Sequence, residues 1–338
     1  MSADRASTGD GRRRRAGRQT ADGVVRVATR ASELALRQAR QVQSMLAARG
    51  QTAELTTFKT TGDKRLDEPL NAIGAKGLFT KELEQALLRG KVDCCVHSLK
   101  DLPTQSPDGL EIVAVLARED PRDVLVVNHL VPVESLAELP RGSRVGTSSL
   151  RRRSQLLAMR DDLEVVELRG NVPTRLRKVE DGLVHAAVLA AAGLHRLGSA
   201  GRIAAYLDAP GWLPAAGQGA IAVQIRADDD RARALFAVLD DAETRLAVRA
   251  ERAMLASLEG GCQVPIGALM IRDGATAVLH GLIADLVGKR VVRGEHRVDP
   301  ADPEGSGERL AHMLRLRGGE EIIEQLREAN RLPAPQPE

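Results

Sequence analysis

The sequence predicts an α/β protein of two lobes, each built on a mainly parallel sheet, joined by a double hinge and followed by a small α+β domain. Three observations predict it. Short apolar runs alternate with amphipathic helical segments from residue 24 to about residue 189, the signature of parallel sheets faced by helices. Two polar or Gly-containing stretches, 119–123 and 215–220, break the alternation, and a strand at 221–225 follows the second. From Asp230 onward the pattern changes to a long helix, short strands and a closing helix.

In chain order, residues 24–28 read as a buried strand. Ser32 caps a helix that runs to about Arg49, with Gly50 as its stop and Leu34, Ala39, Val42, Met45 and Leu46 as its apolar face. A second strand covers 53–57. Residues 60–77 are polar and aperiodic, a length of loop that is usually functional or disordered. Thr80 opens a helix ending at Gly90, and 94–97 form a third strand. Beyond Pro121, strands at 124–127, 144–146, 164–168 and 186–189 accompany helices over 150–160 and 172–179. Two crossings between lobes imply a cleft, where ligands prefer to sit. A helix over 243–258 delivers the chain to Cys262. Strands near 268–271, 275–283 and 290–293 follow, then a helix over 307–327 broken at Gly318-Gly319. The expected limits are a tail to residue 23, one lobe from 24–118 and 220–239, the other from 119–219, a C-terminal domain over 240–332, and a tail over 333–338. No internal repeat of fixed period is present.

Composition bounds the function. Hydrophobic residues make up 43% and charged residues 28% of the 338, and the apolar runs are far too short to span a membrane. One Trp, one Tyr and three Phe leave no stacking platform for single-stranded nucleic acid. Three cysteines, with Cys94 and Cys95 adjacent in an apolar run, do not make a disulfide framework and predict a reducing, cytoplasmic setting. The formal charge of +3 equals that of residues 1–24 alone, which hold six Arg and three Asp. The body is neutral, so neither a nucleic-acid nor a membrane partner is expected. The tail lacks an apolar core of the kind a secretory signal needs. It reads as a solvated, disordered extension, with an organelle transit peptide or a nucleic-acid arm as alternatives.

Four stretches carry candidate chemistry. Cys262 sits behind Gly260-Gly261 and ahead of Pro265, among residues that give a thiol little cover. It is an attachment point or a nucleophile, and spacing does not choose between them. Residues 97–104 follow a strand, where parallel sheets bind ligands; Lys100-Asp101 there suits acid–base or electrostatic work, or else is a solvated pair on a turn. His97 closes the apolar strand and reads as structural. Residues 146–153 and 168–175 share one layout: a strand, a hydroxyl- or amide-bearing turn, and a helix with arginines one turn in. Such turns bind anions, and Arg30-Ala31-Ser32 adds a third in the other lobe. Several arginines aimed at one cleft suit a ligand with several carboxylates or phosphates. Neither a Gly-x-x-x-x-Gly-Lys-Ser/Thr stretch nor Gly-x-Gly-x-x-Gly after the first strand occurs, so nucleotide binding is not indicated. No metal site is expected.

With these stretches in place, the chain closely resembles the porphobilinogen deaminase (hydroxymethylbilane synthase) family. The matching segments include Arg26-Val27-Ala28-Thr29-Arg30, Lys76-Gly77-Leu78-Phe79, His97-Ser98-Leu99-Lys100-Asp101-Leu102-Pro103, Gly146-Thr147-Ser148-Ser149-Leu150-Arg151-Arg152, Leu168-Arg169-Gly170-Asn171, Ala192-Gly193-Leu194-His195-Arg196-Leu197-Gly198, Gly217-Gln218-Gly219-Ala220 and Glu259-Gly260-Gly261-Cys262-Gln263-Val264-Pro265. They are collinear from about Val24 into the C-terminal domain. The resemblance implies two periplasmic-binding-protein-like lobes, a dipyrromethane cofactor joined through a thioether to Cys262, and a monomer. It implies a transferase that adds four porphobilinogen units to this self-made primer, then releases the linear tetrapyrrole by hydrolysis. It implies Asp101 as the catalytic carboxylate. It implies cofactor contacts from Lys100, Ser98, Thr147, Ser148, Ser149, Arg151, Arg152, Arg175, Arg196 and Gln218, and substrate contacts from Arg30, Ser32, Lys76, Arg169, Gly170 and Asn171. Two departures stand out. Ala72 replaces a lysine of some relatives, and Pro173 replaces a small residue, although Pro is tolerated early in a helix.

A non-catalytic solute-binding protein would use the same two lobes and basic cleft but needs neither Cys262 nor Asp101. A nucleic-acid-binding protein guided by the Arg-rich tail conflicts with the neutral body.

Overall fold

The computed structural model describes residues 23–64, 79–131, 133–258 and 264–331. The chain opens with β1 (Val25–Arg30), α1 (Glu33–Ala47), β2 (Ala53–Phe58), the single turn α2 (Thr61–Lys64), α3 (Lys81–Leu88), β3 (Cys94–Ser98) and β4 (Leu110–Val115). It crosses to build β5 (Asp123–Val127), β6 (Arg144–Gly146), α4 (Leu150–Met159), β7 (Glu164–Val166), α5 (Val172–Glu180), β8 (Ala186–Ala190), α6 (Ala191–Arg196) and β9 (Ala205–Leu207). It returns as β10 (Ile221–Arg226) and α7 (Asp230–Phe236). It ends with α8 (Ala242–Ser257), β11 (Ile266–Asp273), β12 (Thr276–Ala284), β13 (Val291–Arg297), α9 (Pro303–Leu314) and α10 (Glu320–Arg331).

The two lobes share one topology that the sequence does not display as a repeat. Their sheets run β2-β1-β3-β10-β4 and β7-β6-β8-β5-β9. In the first, β1 pairs parallel with β2 and β3, while β10 pairs antiparallel with β3 and β4. In the second, β6 pairs parallel with β7 and β8, while β5 pairs antiparallel with β8 and β9. The sheets are therefore mixed, where strand–helix alternation alone predicts mainly parallel ones. The reason is connectivity. Strands β5 and β10 each follow a hinge crossing and enter their sheet from the hinge end, opposite in direction to the strands that helices feed.

Local sequence explains the element ends. Ser32 caps α1 by accepting from Ala35 N–H, and the helix buries Ala39, Val42 and Leu46 against Val25, Val27 and Cys94. Cys94 and Cys95 are fully buried, as small hydrophobes should be. In the second lobe Leu125, Val145, Leu156 and Val188 pack with Trp212. The C-terminal domain is an antiparallel sheet, β11-β12-β13, packed against α8, α9 and α10. Gly318, at φ 103°, separates α9 from α10, as the Gly-Gly pair predicts.

The two crossings run side by side. Leu116 N–H donates to the Ile221 carbonyl (3.0 Å) and Glu119 N–H to the Gly219 carbonyl (3.2 Å). Helix α8 clamps them from the C-terminal domain. The buried Glu251 accepts from both arms of Arg118 (2.6 and 3.0 Å), from Gly217 N–H (2.8 Å) and from Met270 N–H (3.0 Å). Gly219 has φ +90°, and a Cβ there would collide with the Glu119 carbonyl oxygen. Gly219→Ala should therefore cost about 1–3 kcal/mol, read as a lower urea midpoint; an unchanged midpoint would show that the crossings are not tightly apposed at this residue.

Candidate functional site

Strand β3 delivers the chain to a tight turn, Leu99–Asp101, at the cleft between lobes. Gln38, a buried polar residue on the inner face of α1, donates to Ser98 Oγ at 2.8 Å. From the other side Arg252 of α8 donates to the carbonyls of Leu102 (3.3 Å), Pro103 (2.6 Å) and Thr104 (3.2 Å), and burial pushes its guanidinium down to about 10. The turn is thus held at both ends, with Asp101 exposed between them. Arg30 Nη1 stands 4.0 Å from Asp101 Oδ2. The Arg30 guanidinium lies over the Phe79 ring, 4.3 Å from its centroid. That ring occupies the space Gly62 leaves open; a Cβ at Gly62 would collide with it. Arg30, Ser32, Gln38, Phe79, Thr80, His97, Ser98 and Asp101 are among the residues lining a cavity of about 60 Å³.

Lys100 reaches the hinge. Its Nζ donates to Gln218 Oε1 at 3.2 Å, and Gln218 Nε2 donates to Asp123 Oδ1 and to the Pro121 carbonyl, both at 2.8 Å. The Lys100 chain is open to solvent at the cleft mouth, but its ammonium is surrounded by protein. That crowding, with Arg152 adding repulsion and Asp101 and Asp123 opposing it, lowers its pKa to about 8.

Asp123, the first residue of β5, is fully buried. It accepts from Arg151 Nη1 (2.7 Å), Arg152 Nη2 (2.7 Å) and Trp212 Nε1 (2.8 Å) as well as from Gln218. Burial alone would raise its pKa; the charges of Arg151 and Arg152, and their hydrogen bonds, hold it well below the usual carboxylate range. Arg151 also donates to the Leu213 carbonyl (2.7 Å) and Arg152 to the Val188 carbonyl (2.9 Å). Both arginines are thus engaged inside the protein, where sequence reasoning aimed them at a ligand.

The remaining polar residues of these turns largely build the turns. Ser149 caps α4 by accepting from Arg152 N–H, and Asn171 caps α5 by accepting from Thr174 N–H. Thr147 Oγ1 accepts from Ser149 N–H (3.2 Å), and Ser148 Oγ donates to the Leu168 carbonyl (2.8 Å). Gly170, at φ +114°, turns the chain so that its carbonyl meets Arg175 Nε at 2.8 Å. Pro173 fits in the first turn of α5. Arg196 donates to the Gly219 carbonyl (2.7 Å), on the hinge, and burial lowers its pKa.

Two arginines are less committed. Arg169 has Glu167 at 3.9 Å, and its Nη1 is buried with no hydrogen-bond partner among the described residues. A buried donor left unmade is costly and awaits an acceptor. Arg175 is pushed down to about 10 by burial and then by Arg152 and Arg169, with Asp101 opposing across the cleft. These mutual effects show that Lys100, Arg152, Arg169, Arg175 and Asp101 share one electrostatic field. The arrangement can bind carboxylates beside a solvent-facing acid. Among the described residues no cluster of His, Cys, Asp and Glu could hold a metal ion. Cys262, Lys76 and Ala72 lie outside the described residues.

Sequence reasoning placed Asp123 in a polar hinge stretch and missed it as a buried hub; an acid directly ahead of the apolar run 124–127 was the available signal. It missed Gln38, whose helical spacing with Val42 marks the inner face of α1, and Glu251, which no local pattern marks.

The comparisons with known proteins agree with one another. A family model described as "Porphobilinogen deaminase, dipyromethane cofactor binding domain" matches residues 25–234, and one described as "Porphobilinogen deaminase, C-terminal domain" matches 245–315. The chain is 47% identical to a porphobilinogen deaminase of Syntrophobacter fumaroxidans over 90% of this chain and 98% of that one. It is 48% identical to one of Acidithiobacillus ferrooxidans over 90% and 99%, and 47% identical to one of Trichlorobacter lovleyi over 89% and 96%. Among solved structures it is similar to the methionine-binding protein MetQ, at 16% identity and a TM-score of 0.41, covering 70% of this chain and 95% of that one; so loose a likeness carries no argument.

Removing the charge of Asp123 leaves two buried guanidiniums uncompensated. Asp123→Asn should lower unfolding free energy by about 3–5 kcal/mol, measured by urea denaturation at neutral pH. A wild-type midpoint would mean that the arginines find other partners.

Proposed function

We propose how this cleft works from one premise: the chain belongs to the porphobilinogen deaminase family. It is a transferase that condenses four porphobilinogen units head to tail, with release of ammonia, onto a dipyrromethane primer, and hydrolysis then yields hydroxymethylbilane for tetrapyrrole biosynthesis. The division of labour among its residues is our reading. The observation that carries it is the convergence of Arg152, Arg169 and Arg175 from one lobe, and of Lys100 from the other, on the cleft that Asp101 enters beside Lys100.

The donor set fits the primer. Pyrrole units bear acetate and propionate groups, and the buried, unpartnered Nη1 of Arg169 is a place for one carboxylate oxygen. Lys100, Arg169 and Arg175 would hold such groups directly. Arg151 and Arg152, tied to Asp123, would shape the floor beneath them, with Ser98, Thr147, Ser148 and Ser149 keeping the turns rigid. Arg196 and Gln218 would hold the hinge. When bound, the primer supplies the nucleophilic pyrrole carbon. Cys262, at the end of the segment that α8 delivers, is our candidate for its thioether anchor.

Incoming porphobilinogen would meet Arg30 and the capped turn at Ser32, with Gly170 and Asn171 on its rim and Lys76 as a further positive charge for its carboxylates. Loss of ammonia leaves the substrate pyrrole cationic, and Asp101, fixed by Gln38 and Arg252 at the two ends of its loop, would hold negative charge against it and exchange its protons. We take the domain limits as 24–118 with 220–239, 119–219 and 240–332, following the three sheets, and the working form as a cytoplasmic monomer, on the cysteine content and the resemblance. Among the described residues no helix is long and apolar enough to cross a membrane.

Two measurements test this. The intact mass of the purified protein should exceed the sequence mass by a dipyrromethane, and the excess should vanish in Cys262→Ser; an unmodified wild type would refute the anchor. Asp101→Asn, referred to loaded enzyme, should release ammonia very slowly, and Asp101→Glu should keep more activity, since a displacement of about one methylene costs roughly a hundredfold. A loaded Asn variant as fast as wild type would remove Asp101 from the chemistry.

Lys100 adds a pH dependence. Its pKa is depressed, so its charge is lost as pH rises through about 8 rather than above 10. If it holds a carboxylate of the primer and so places the accepting pyrrole, kcat should fall between pH 7 and 9.5, and Lys100→Arg should flatten that fall, because guanidinium stays charged. Parallel profiles in the two proteins would show that Lys100 does not bind the ligand.

A further inference from the structure

His97 precedes Asp101 on the strand that delivers it, and both line the cavity of about 60 Å³. The two sides of its imidazole differ. His97 Nε2 lies 3.2 Å from Gln224 Oε1 on the antiparallel neighbour β10, and Gln224 Nε2 lies 3.4 Å from Glu84 Oε1 on α3. A carboxylate accepts only, so Gln224 turns its amide nitrogen to Glu84 and its oxygen to His97. His97 therefore carries its proton on Nε2 and keeps Nδ1 as a bare acceptor. Nδ1 makes no hydrogen bond among the described residues. Burial pushes the imidazole down to about 4; the Gln224 bond opposes this and Arg30 adds to it, so the ring is neutral at neutral pH. Thr80 Oγ1, on the same cavity wall, is buried and also lacks a partner. The cavity is small and polar on these walls, of a size that admits an ammonium head.

We infer that this cavity receives the aminomethyl group of incoming porphobilinogen, and that His97 Nδ1 is the acceptor that holds it, with Gln224 and Glu84 as positioning residues that set the tautomer. The inference rests on the reading of the cleft as the site of condensation. The group departs as neutral ammonia, so it must be protonated when its C–N bond breaks. The electron pair of that bond goes to nitrogen. The ring nitrogen's lone pair feeds the new exocyclic C=C bond, and the positive charge passes from the ammonium to the ring, beside Asp101. His97 gains and loses no proton. An amine has a pKa on the order of 10, far above that of this imidazole, so Nδ1 orients the ammonium without stripping the proton it needs to leave.

The test compares wild type, His97→Gln and His97→Asn, each referred to its loaded fraction by intact mass, with porphobilinogen as substrate. Gln sets its amide near the Nε2 position and keeps the Gln224 contact while deleting the Nδ1 acceptor. Asn sets its amide near Nδ1 and gives up the Gln224 contact. Single-turnover ammonia release should fall about ten- to a hundredfold in His97→Gln, with His97→Asn the faster of the two. A purely structural histidine predicts the reverse order, because Gln preserves the buried bond. Equal rates in wild type and His97→Gln, a slower His97→Asn, or the failure of either variant to give a cooperative thermal melt would overturn the assignment. A wild type that releases no ammonia would overturn the reading of the cleft, and this assignment with it; a competent wild type with an indifferent His97→Gln would overturn this assignment alone.

Discussion

The buried carboxylate of Asp123 is the point on which the rest of the arrangement depends. It gathers Arg151 and Arg152 from α4, the indole of Trp212 and the amide of Gln218 around one pair of oxygens. A buried ion pair adds little net stability compared with well-packed apolar residues, because desolvation offsets the attraction. Its value here is geometric. It fixes the first turn of α4 against β5 and the second hinge crossing, and Gln218 passes that constraint to Lys100. A continuous set of hydrogen bonds thereby joins the arginine cluster of one lobe to the turn that bears Asp101 in the other.

The C-terminal domain supplies the second constraint through two consecutive residues. Glu251 grips the hinge by way of Arg118 and Gly217, and Arg252 grips the loop after Asp101. Successive helical residues point about 100° apart, so one turn of α8 meets both neighbours. The same helix ends at Ser257, shortly before Cys262. The element that precedes the proposed anchor in the chain is thus the element that fixes both the hinge and the acid turn.

Much of the fold was legible because apolar periodicity reports burial directly. The strand at 144–146 and the extents of α1, α4 and α5 were read from the sequence, with Ser32 as the cap of α1; that Ser149 and Asn171 cap α4 and α5 appears only in the structure. The direction of β5 and β10 was not, because a strand's sequence does not say which end it enters from; the hinge crossings decide it. Strand β4 escaped because Glu111 interrupts an otherwise apolar run that ends in the sheet of lobe one. In the site, arginine count and turn layout were visible, but pairing was not. Arg151 and Arg169 look alike in sequence. Only the fold shows that one faces Asp123 and the other has a buried nitrogen with no partner among the described residues.

That difference gives the cleft its character. Arg151 and Arg152 against Asp123 leave one positive charge in excess, and Arg169, Arg175 and Lys100 add more nearby. The depressed pKa values of Lys100 and Arg175 express burial first and then the repulsion among these cations. A ligand bringing several carboxylates would relieve that repulsion, so the field favours multiply charged chains over single acids. Asp101 and the neutral His97 stand on the other lobe, beside Lys100 and Arg30. A cation formed there finds an acid on one side and a non-basic acceptor on the other, while the carboxylates that accompany it are drawn to the arginines. On the proposed reading, the arginines of one lobe hold a polyanionic chain while a positive charge develops beside the acid of the other.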